Sequence, residues 1–146
     1  MKKLIFIITI LLLNCVNAFS EVKPIISGNP DTKVKLMVFE SLTCSHCANF
    51  HKNIYPKLKE DFIDKGLISI EFKSFPLDII AFNATKLAHC RNDGDPEILH
   101  YFYLNQDKWI KGKNEVEANQ AIKKFIDATE YNLSLIHISE PTRPRL

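Results

Sequence analysis

Two cysteines, Cys44 and Cys47, lie one helical turn apart in the stretch TCSHCANFH at residues 43–51. Two residues between cysteines bring both sulfurs within bonding distance when the pair stands at the start of a helix. The unsatisfied N–H groups and the positive dipole end of such a helix stabilise a thiolate. The spacing therefore predicts a redox pair, with Cys44 as the exposed attacking thiol of lowered pKa and Cys47 as the more buried resolving thiol.

The residue type between the cysteines bears on the direction of the reaction. The imidazole of His46, when protonated, adds positive charge beside the thiolate and favours the reduced form of the pair. A stable reduced form makes the disulfide a stronger oxidant. We therefore predict that Cys44, Cys47 and His46 are catalytic and that they donate disulfides to other proteins. This chemistry is predicted to use no cofactor and no metal.

The same stretch also permits a different function. Cys44, Cys47 and His51 follow a C-x-x-C-x-x-x-H pattern, which offers three potential ligands for zinc or copper. A structural zinc site needs a fourth ligand, and His89 or Cys90 supplies one only if the fold brings it close. The alternative prediction is therefore a periplasmic metal-binding module or metal chaperone. Cys90 itself falls on the apolar side of a predicted helix and is interpreted as a buried core thiol.

The two ends of the 146-residue chain have unusual compositions. Residues 1–18 carry Lys2 and Lys3, an apolar run from residue 4 to residue 13 and small residues at their end, which is the pattern of a cleaved secretory signal peptide. Residues 133–143, LSLIHISEPTR, match the translation of a common sequencing adapter, so residues 133–146 are predicted to be a non-native tail. Residues 19–132 then form one domain, and the gene is expected to continue beyond them.

The composition of residues 19–132 excludes several classes of protein. The whole chain has a formal net charge of +2, and its excess of basic residues comes from the two ends, so the body offers no basic surface for nucleic acid. Three cysteines remain in the body: Cys44, Cys47 and Cys90. Such an odd and sparse set does not fit a disulfide-stapled miniprotein, whereas it suits a hydrophobic domain with one working thiol pair.

The pattern around the cysteines predicts a βαβ unit. Residues 34–39, VKLMVF, are apolar on both faces and are predicted to form an interior strand. A helix that starts at Thr43, its possible cap, or one residue later extends to Gly66, with a kink before Pro56. Residues 68–72 alternate between apolar and polar types and predict a strand with one face in water.

From Pro76 onward the sequence is predicted to be helical. Three apolar stripes predict three helices, which are separated by a turn at residues 92–96 and by a loop anchored at Trp109. Asn114 with Glu117 resembles a capping box in front of the last of these helices.

The run from residue 28 to residue 90, GNPDTKVKLMVFESLTCSHCANFH…FKSFPLD…ATKLAHC, resembles the DsbA-like periplasmic thiol–disulfide oxidoreductases, especially their alphaproteobacterial branch. The resemblance extends over residues 28–132. It implies a thioredoxin fold with an inserted helical domain, and it matches the active-site cysteines to Cys44 and Cys47 with His46 between them. It also implies a periplasmic enzyme that oxidises unfolded or reduced secreted proteins and is itself reoxidised by a quinone-linked membrane partner.

The sequence departs from the family's pattern in three places. Ser45 stands where the residue after the first cysteine is usually proline, and Val38 stands where many members carry a buried acid six residues before that cysteine. Glu40, two residues further on, is the candidate proton acceptor. None of the seven prolines fits the family's cis-proline loop. The predicted fold class is therefore α/β, a thioredoxin-like βαβ unit with a helical insertion from about residue 76, lacking the C-terminal ββα half.

Overall fold

The computed structural model describes residues 22–129. Its sheet consists of β1 (Ile25–Ser27), β2 (Val34–Glu40) and β3 (Ile68–Ser74). The strand order is β1-β3-β2, in which β3 pairs antiparallel with β1 and parallel with β2. Because parallel neighbours need a crossover connection, which is helical here, this arrangement confirms the predicted βαβ unit.

The crossover from β2 to β3 is one helical segment that contains two wide turns. Pro56 has no backbone N–H to continue the regular hydrogen bonding, and the N–H of Tyr55 bonds to the carbonyl of Phe50. A wide turn therefore lies where the sequence predicts a kink, and Gly66, with a φ of +68°, follows the end of the segment. The parts of the segment are α1 (Ser45–Asn49), a π-helical turn (Phe50–Ile54), α2 (Tyr55–Leu58) and a second π-helical turn (Lys59–Ile63).

The chain after β3 is helical, which confirms the predicted insertion and the α/β class. Its helices are α3 (Ile79–Ala88), α4 (Glu97–Leu104), α5 (Gln106–Trp109) and α6 (Glu115–Asp127). The side chain of Asn114 accepts the N–H of Glu117 at 3.0 Å, as the predicted capping box requires. Trp109 is fully buried, and its indole N–H donates to the carbonyl of Phe102 at 2.8 Å, which holds α5 against α4.

The prediction that β2 is an interior strand is wrong. Within the described residues β2 pairs only with β3, and Val34, Met37 and Phe39 expose 50%, 62% and 65% of their surface. The interior strand is β3, which has neighbours on both edges and a fully buried Ile70 at its centre. The apolar run identified a strand correctly but not its place in the sheet, because that place depends on which strands pair with it.

The alternation predicted for β3 is present with one exception. Glu71 and Lys73 are partly exposed and form an ion pair. Ser69 is buried, and its hydroxyl accepts a hydrogen bond from Thr32 at 2.9 Å. The solvent-exposed face of β3 is therefore confined to its C-terminal half.

Two predictions concern residues outside the described range. The signal peptide at residues 1–18 and the non-native tail at residues 133–146 both fall beyond residues 22–129. Within that range, every helix is too short or too polar to cross a bilayer.

Candidate redox-active site

Cys44 lies at the N-terminus of α1, just after the chain leaves β2. Its backbone is extended, with φ −78° and ψ 118°, and its sulfur accepts the N–H of Cys47 at 3.3 Å. Cys44 is therefore the N-cap residue, and a sulfur holds the place that an oxygen usually takes. Thr43, the predicted cap, instead donates its hydroxyl at 2.6 Å to Asp78, which caps α3.

The surroundings of the two half-buried thiols shift their pKa values in opposite directions. A hydrogen bond from the side chain of Cys47 lowers the pKa of Cys44, and the backbone N–H groups of Cys47 and His46 lower it further. Burial raises the pKa of Cys47 to about 11, and the Cys44 sulfur adds to that increase. The pair thus consists of one thiol that ionises readily and one that retains its proton.

His46 contributes to this site through its backbone. Its N–H group helps to stabilise the Cys44 thiolate, while its side chain is exposed to solvent. A catalytic role for the imidazole of His46 stays a prediction. The same holds for the catalytic roles of Cys44 and Cys47, which the geometry at the start of α1 supports.

A buried carboxyl group lies at the end of β2. Glu40 is 5% exposed, and its charge raises the pKa of both Cys44 and Cys47. Burial raises the pKa of Glu40 itself to about 8, and the nearby hydroxyl of Tyr103 moderates this increase. Side chains two residues apart in a strand point to the same face. Val38 occupies the position at which the resembled family carries its acid. Glu40 therefore lies on the same face of β2 as that position and is two residues nearer to Cys44.

Glu40 begins a chain of short hydrogen bonds through two histidines. Its Oε2 lies 2.7 Å from Nε2 of His51, and Nδ1 of His51 lies 2.7 Å from Nδ1 of His100 in α4. Tyr103 stacks on the His51 ring with a centroid separation of 4.0 Å. Burial lowers the pKa of His51 to about 4 and that of His100 to about 3, so both rings are neutral at pH 7.

The alternative metal site is not supported. Both ring nitrogens of His51 are engaged by Glu40 and His100, so this side chain is not available to join Cys44 and Cys47 as a ligand. Between residues 22 and 129, no group of three or more His, Cys, Asp or Glu side chains is arranged to hold a metal ion.

The two residues considered as a fourth ligand have other surroundings. Cys90 is half-buried just after α3 and packs against the hydrophobic core, and burial raises its pKa. The interpretation of Cys90 as a core thiol is therefore confirmed in part, since the residue is not fully enclosed. Nε2 of His89 lies 3.2 Å from the hydroxyl of Ser74.

Two residues of the helical insertion support the site and were not identified from the sequence. The side-chain amide of Gln106 donates to the carbonyls of Leu42 at 2.6 Å and Cys44 at 3.0 Å, which fixes the loop that carries the first thiol. His100 reaches His51 from α4. No sequence pattern near Gln106 or His100 indicates these contacts, because their partners lie 62 and 49 positions away in the chain.

Comparison with known proteins places this geometry in a family. Residues 20–136 match the sequence profile of the family described as Thioredoxin. Over 84 residues the chain is 34% identical to a Rickettsia bellii protein named as a protein-disulfide oxidoreductase, a match that covers 56% of this chain and 32% of that protein. Over 55 residues it is 36% identical to "Disulfide bond formation protein D" of Bacillus subtilis, covering 34% of this chain and 25% of that protein.

A solved structure gives a similar result. The crystal structure of Wolbachia pipientis alpha-DsbA1 superposes with a TM-score of 0.61 at 27% identity, over 77% of this chain and 58% of that chain. The chain therefore spans about a third of the length of the Rickettsia relative, 32%, and little more than half of the Wolbachia protein, 58%.

Proposed function

The chain belongs to the thioredoxin family, and from this premise we propose that it is a thiol–disulfide oxidoreductase that donates disulfides to secreted proteins. The observation that carries the proposal is the contrast between Cys44, whose pKa is lowered, and Cys47, whose pKa is raised to about 11. A thiol of low pKa is the better leaving group in disulfide exchange. Cys44 therefore leaves readily from a mixed disulfide, which favours passing the disulfide on to the substrate.

The reaction begins when a substrate thiolate attacks the Cys44 sulfur of the oxidised pair. The Cys44–Cys47 bond breaks, its electron pair goes to the Cys47 sulfur, which takes up a proton, and a mixed disulfide joins Cys44 to the substrate. A second substrate thiolate then attacks the substrate sulfur of that bond, and Cys44 leaves as a thiolate. The substrate has lost two electrons and gained a disulfide, and the thiol pair has gained both electrons.

A groove beside the pair offers space for a segment of the substrate. It has a volume of about 700 Å³ and lies between the helical segment that follows Cys44 and helices α4 and α5. Its lining mixes polar and apolar side chains, which suits extended peptides of varied sequence. The lining residues are Thr43, Ser45, Ala48, Asn49, Lys52, Asn53, Tyr103, Leu104, Gln106, Asp107 and Ile110.

The cellular location and the reoxidising partner belong to the same proposal. The basic start and apolar run of residues 1–18 support export to the periplasm, where disulfides form and persist. There a quinone-linked membrane protein would return the reduced pair to the disulfide, as the family resemblance implies.

Thiolate absorbance, titrated against pH in the reduced chain, tests the proposed roles. We expect Cys44 to ionise below the free-cysteine value of about 8.5, and Cys44→Ser to remove this transition. Cys47→Ala should raise the pKa of Cys44, because the largest contribution to its lowering is the hydrogen bond from the Cys47 side chain. Cys90→Ser is the matched control and should leave the titration of Cys44 unchanged.

Disulfide transfer supplies the second measurement. The oxidised chain, mixed with a reduced peptide that contains two thiols, should yield the oxidised peptide and the Cys44–Cys47 dithiol, as followed by mass spectrometry. The proposal is refuted if Cys44 and Cys47 form no disulfide, or if Cys44 titrates like free cysteine.

A further inference from the structure

The redox pair depends on a backbone conformation that Cys44 holds only weakly by itself. Cys44 is extended, with helical residues directly after it, so the chain changes direction at this residue. An oxygen side chain usually stabilises such a cap, but a thiol sulfur is a weak acceptor, and its contact with the N–H of Cys47 is 3.3 Å long. A contact from outside the loop therefore has a large influence on how firmly Cys44 is held.

We propose that Gln106 of α5 is the positioning residue that holds Cys44 in this conformation, so that the helical region sets the oxidising strength of the pair. The inference rests on the proposed function and deepens it by naming a residue that acts on the attacking thiol through the backbone.

The side-chain amide of Gln106 bridges two carbonyl groups, one on each side of the cap. Its nitrogen lies 2.6 Å from the carbonyl oxygen of Leu42 and 3.0 Å from that of Cys44. An amide NH2 group has two hydrogens, one for each of these acceptors, whereas the amide oxygen could donate to neither of them. The two partners therefore determine which way the amide of Gln106 is turned.

This bridge fixes the torsions that direct the Cys44 side chain. Between the two bridged carbonyls lie only the φ and ψ rotations of Thr43 and Cys44, because peptide groups are planar. The Cys44 carbonyl also accepts the N–H of Ala48 at 3.1 Å, which is a hydrogen bond of the helical segment. Gln106 therefore links the loop to the first helical peptide group, and the Cys44 side chain keeps its direction toward the N–H of Cys47.

Other contacts of the loop act on the N-terminal side of the cap. The N–H of Cys44 donates to the carbonyl of Ser41 at 3.0 Å, and the hydroxyl of Thr43 donates to Asp78 at 2.6 Å. Gln106 adds a contact on the C-terminal side, where the chain becomes helical. Its loss would therefore loosen the rotation that carries the sulfur toward or away from α1.

A firmly held cap stabilises the reduced pair. The pKa of Cys44 is lowered by hydrogen bonds from the Cys47 side chain and from the backbone N–H groups of Cys47 and His46, and these bonds require the sulfur to stay beside the start of α1. Without Gln106 the sulfur spends part of its time away from these donors, so the thiolate is less stable and the pKa of Cys44 rises. A less stable thiolate makes the disulfide a weaker oxidant.

Gln106→Met tests the proposal, because methionine is similar in size and uncharged but cannot donate a hydrogen bond. We expect thiolate absorbance to show a raised pKa of Cys44. We also expect the equilibrium with reduced glutathione to shift about threefold or more toward the Cys44–Cys47 disulfide. Gln120→Met, which makes the same change at an exposed position of α6, is the matched control and should leave both measurements unchanged.

A purely structural role for Gln106 would lower the stability of Gln106→Met and leave the thiol chemistry as it is. An unchanged pKa of Cys44, or an unchanged glutathione equilibrium, would therefore overturn the proposal. A pair that forms no disulfide in the unmodified chain refutes the proposed function instead.

If Gln106→Met does not fold, nuclear magnetic resonance of the unmodified chain decides the question. The side-chain amide signals of Gln106 should shift with pH at the midpoint at which Cys44 ionises, because the amide is bonded to the backbone of that residue. The amide signals of Gln120 should show no such shift. Gln106 signals that ignore the ionisation of Cys44 would overturn the proposal.

Discussion

Strands β2 and β3 have the same length and lie side by side in register, yet their environments are nearly opposite. Leu36 in β2 stands opposite Ile70 in β3, but Leu36 is 38% exposed and Ile70 is fully buried. The next pair reverses the expected chemistry, since the apolar Met37 is 62% exposed opposite the partly buried Glu71. β3 has a strand on each edge, whereas β2 has one neighbour within residues 22–129.

This contrast shows that the apolar content of a strand does not measure its burial. β2 is the more continuously apolar of the two strands and also the more exposed, because burial depends on what covers a face and an edge. Its C-terminal end is the exception, since Glu40 is 5% exposed. β2 is therefore enclosed where it leads to the thiol pair, half-buried at Val38 and exposed along the rest of its length.

The largest expected effect tests the burial difference at one register position. Ile70→Ala should lower the free energy of unfolding by about 2–5 kcal/mol, because it leaves a cavity at a fully buried site. Leu36→Ala, its matched partner across the ladder, should cost about 1 kcal/mol or less, since water already reaches that side chain. Urea unfolding of both variants measures the difference. Equal costs would show that β2 is covered in solution.

The second expected effect concerns the buried end of β2 and is measured as stability against pH with the thiol pair oxidised. The folded chain keeps the Glu40 proton up to a pKa of about 8, whereas the unfolded chain releases it near 4.5. His51 and His100 oppose this effect only below 6.5, because folding lowers their pKa values to about 4 and about 3. Stability should therefore fall as the pH rises from 6.5 to 8. The fall should reach at most about 1.4 kcal/mol for each pH unit.

Glu40→Gln should remove this fall, because the amide does not titrate. Glu71→Gln, which alters the partly exposed carboxylate of β3, should leave the slope as it is in the unmodified chain. Thermal unfolding at a series of pH values measures all three proteins. A slope that survives in Glu40→Gln contradicts the assignment of the buried proton to this residue.

The smallest expected effect on stability concerns the exposed part of β2. Replacing Met37 and Phe39 together with threonine should change the free energy of unfolding by about 0.5 kcal/mol or less, because both side chains are mostly exposed. The same change should reduce self-association, since exposed apolar edge strands pair with other chains. Sedimentation velocity measures this, with Val116→Thr, a residue 66% exposed on α6, as the control. Equal self-association in both variants would show that the exposed face of β2 does not mediate contacts between copies of the chain.

The sequence predicted most of the local features of the molecule, with the helix cap at Thr43 as an exception, since Cys44 is the N-cap residue. The cysteine spacing, the kink before Pro56 and the cap at Asn114 follow from chemistry within a few residues, and each has the expected place in the structure. The exposure of β2 and the contacts of Gln106 and His100 were not predicted. These features depend on which distant segments of the chain contact each other, and the periodicity or capping pattern of a few neighbouring residues carries no information about such contacts.

Gln106 has a consequence for the order in which the protein matures. The loop that carries Cys44 is fastened by a side chain 62 positions later in the chain. Because synthesis proceeds from the N-terminus, both cysteines are made well before Gln106, which forms these hydrogen bonds. The loop that carries Cys44 therefore acquires its final hydrogen bonds only once the helical region has folded against it.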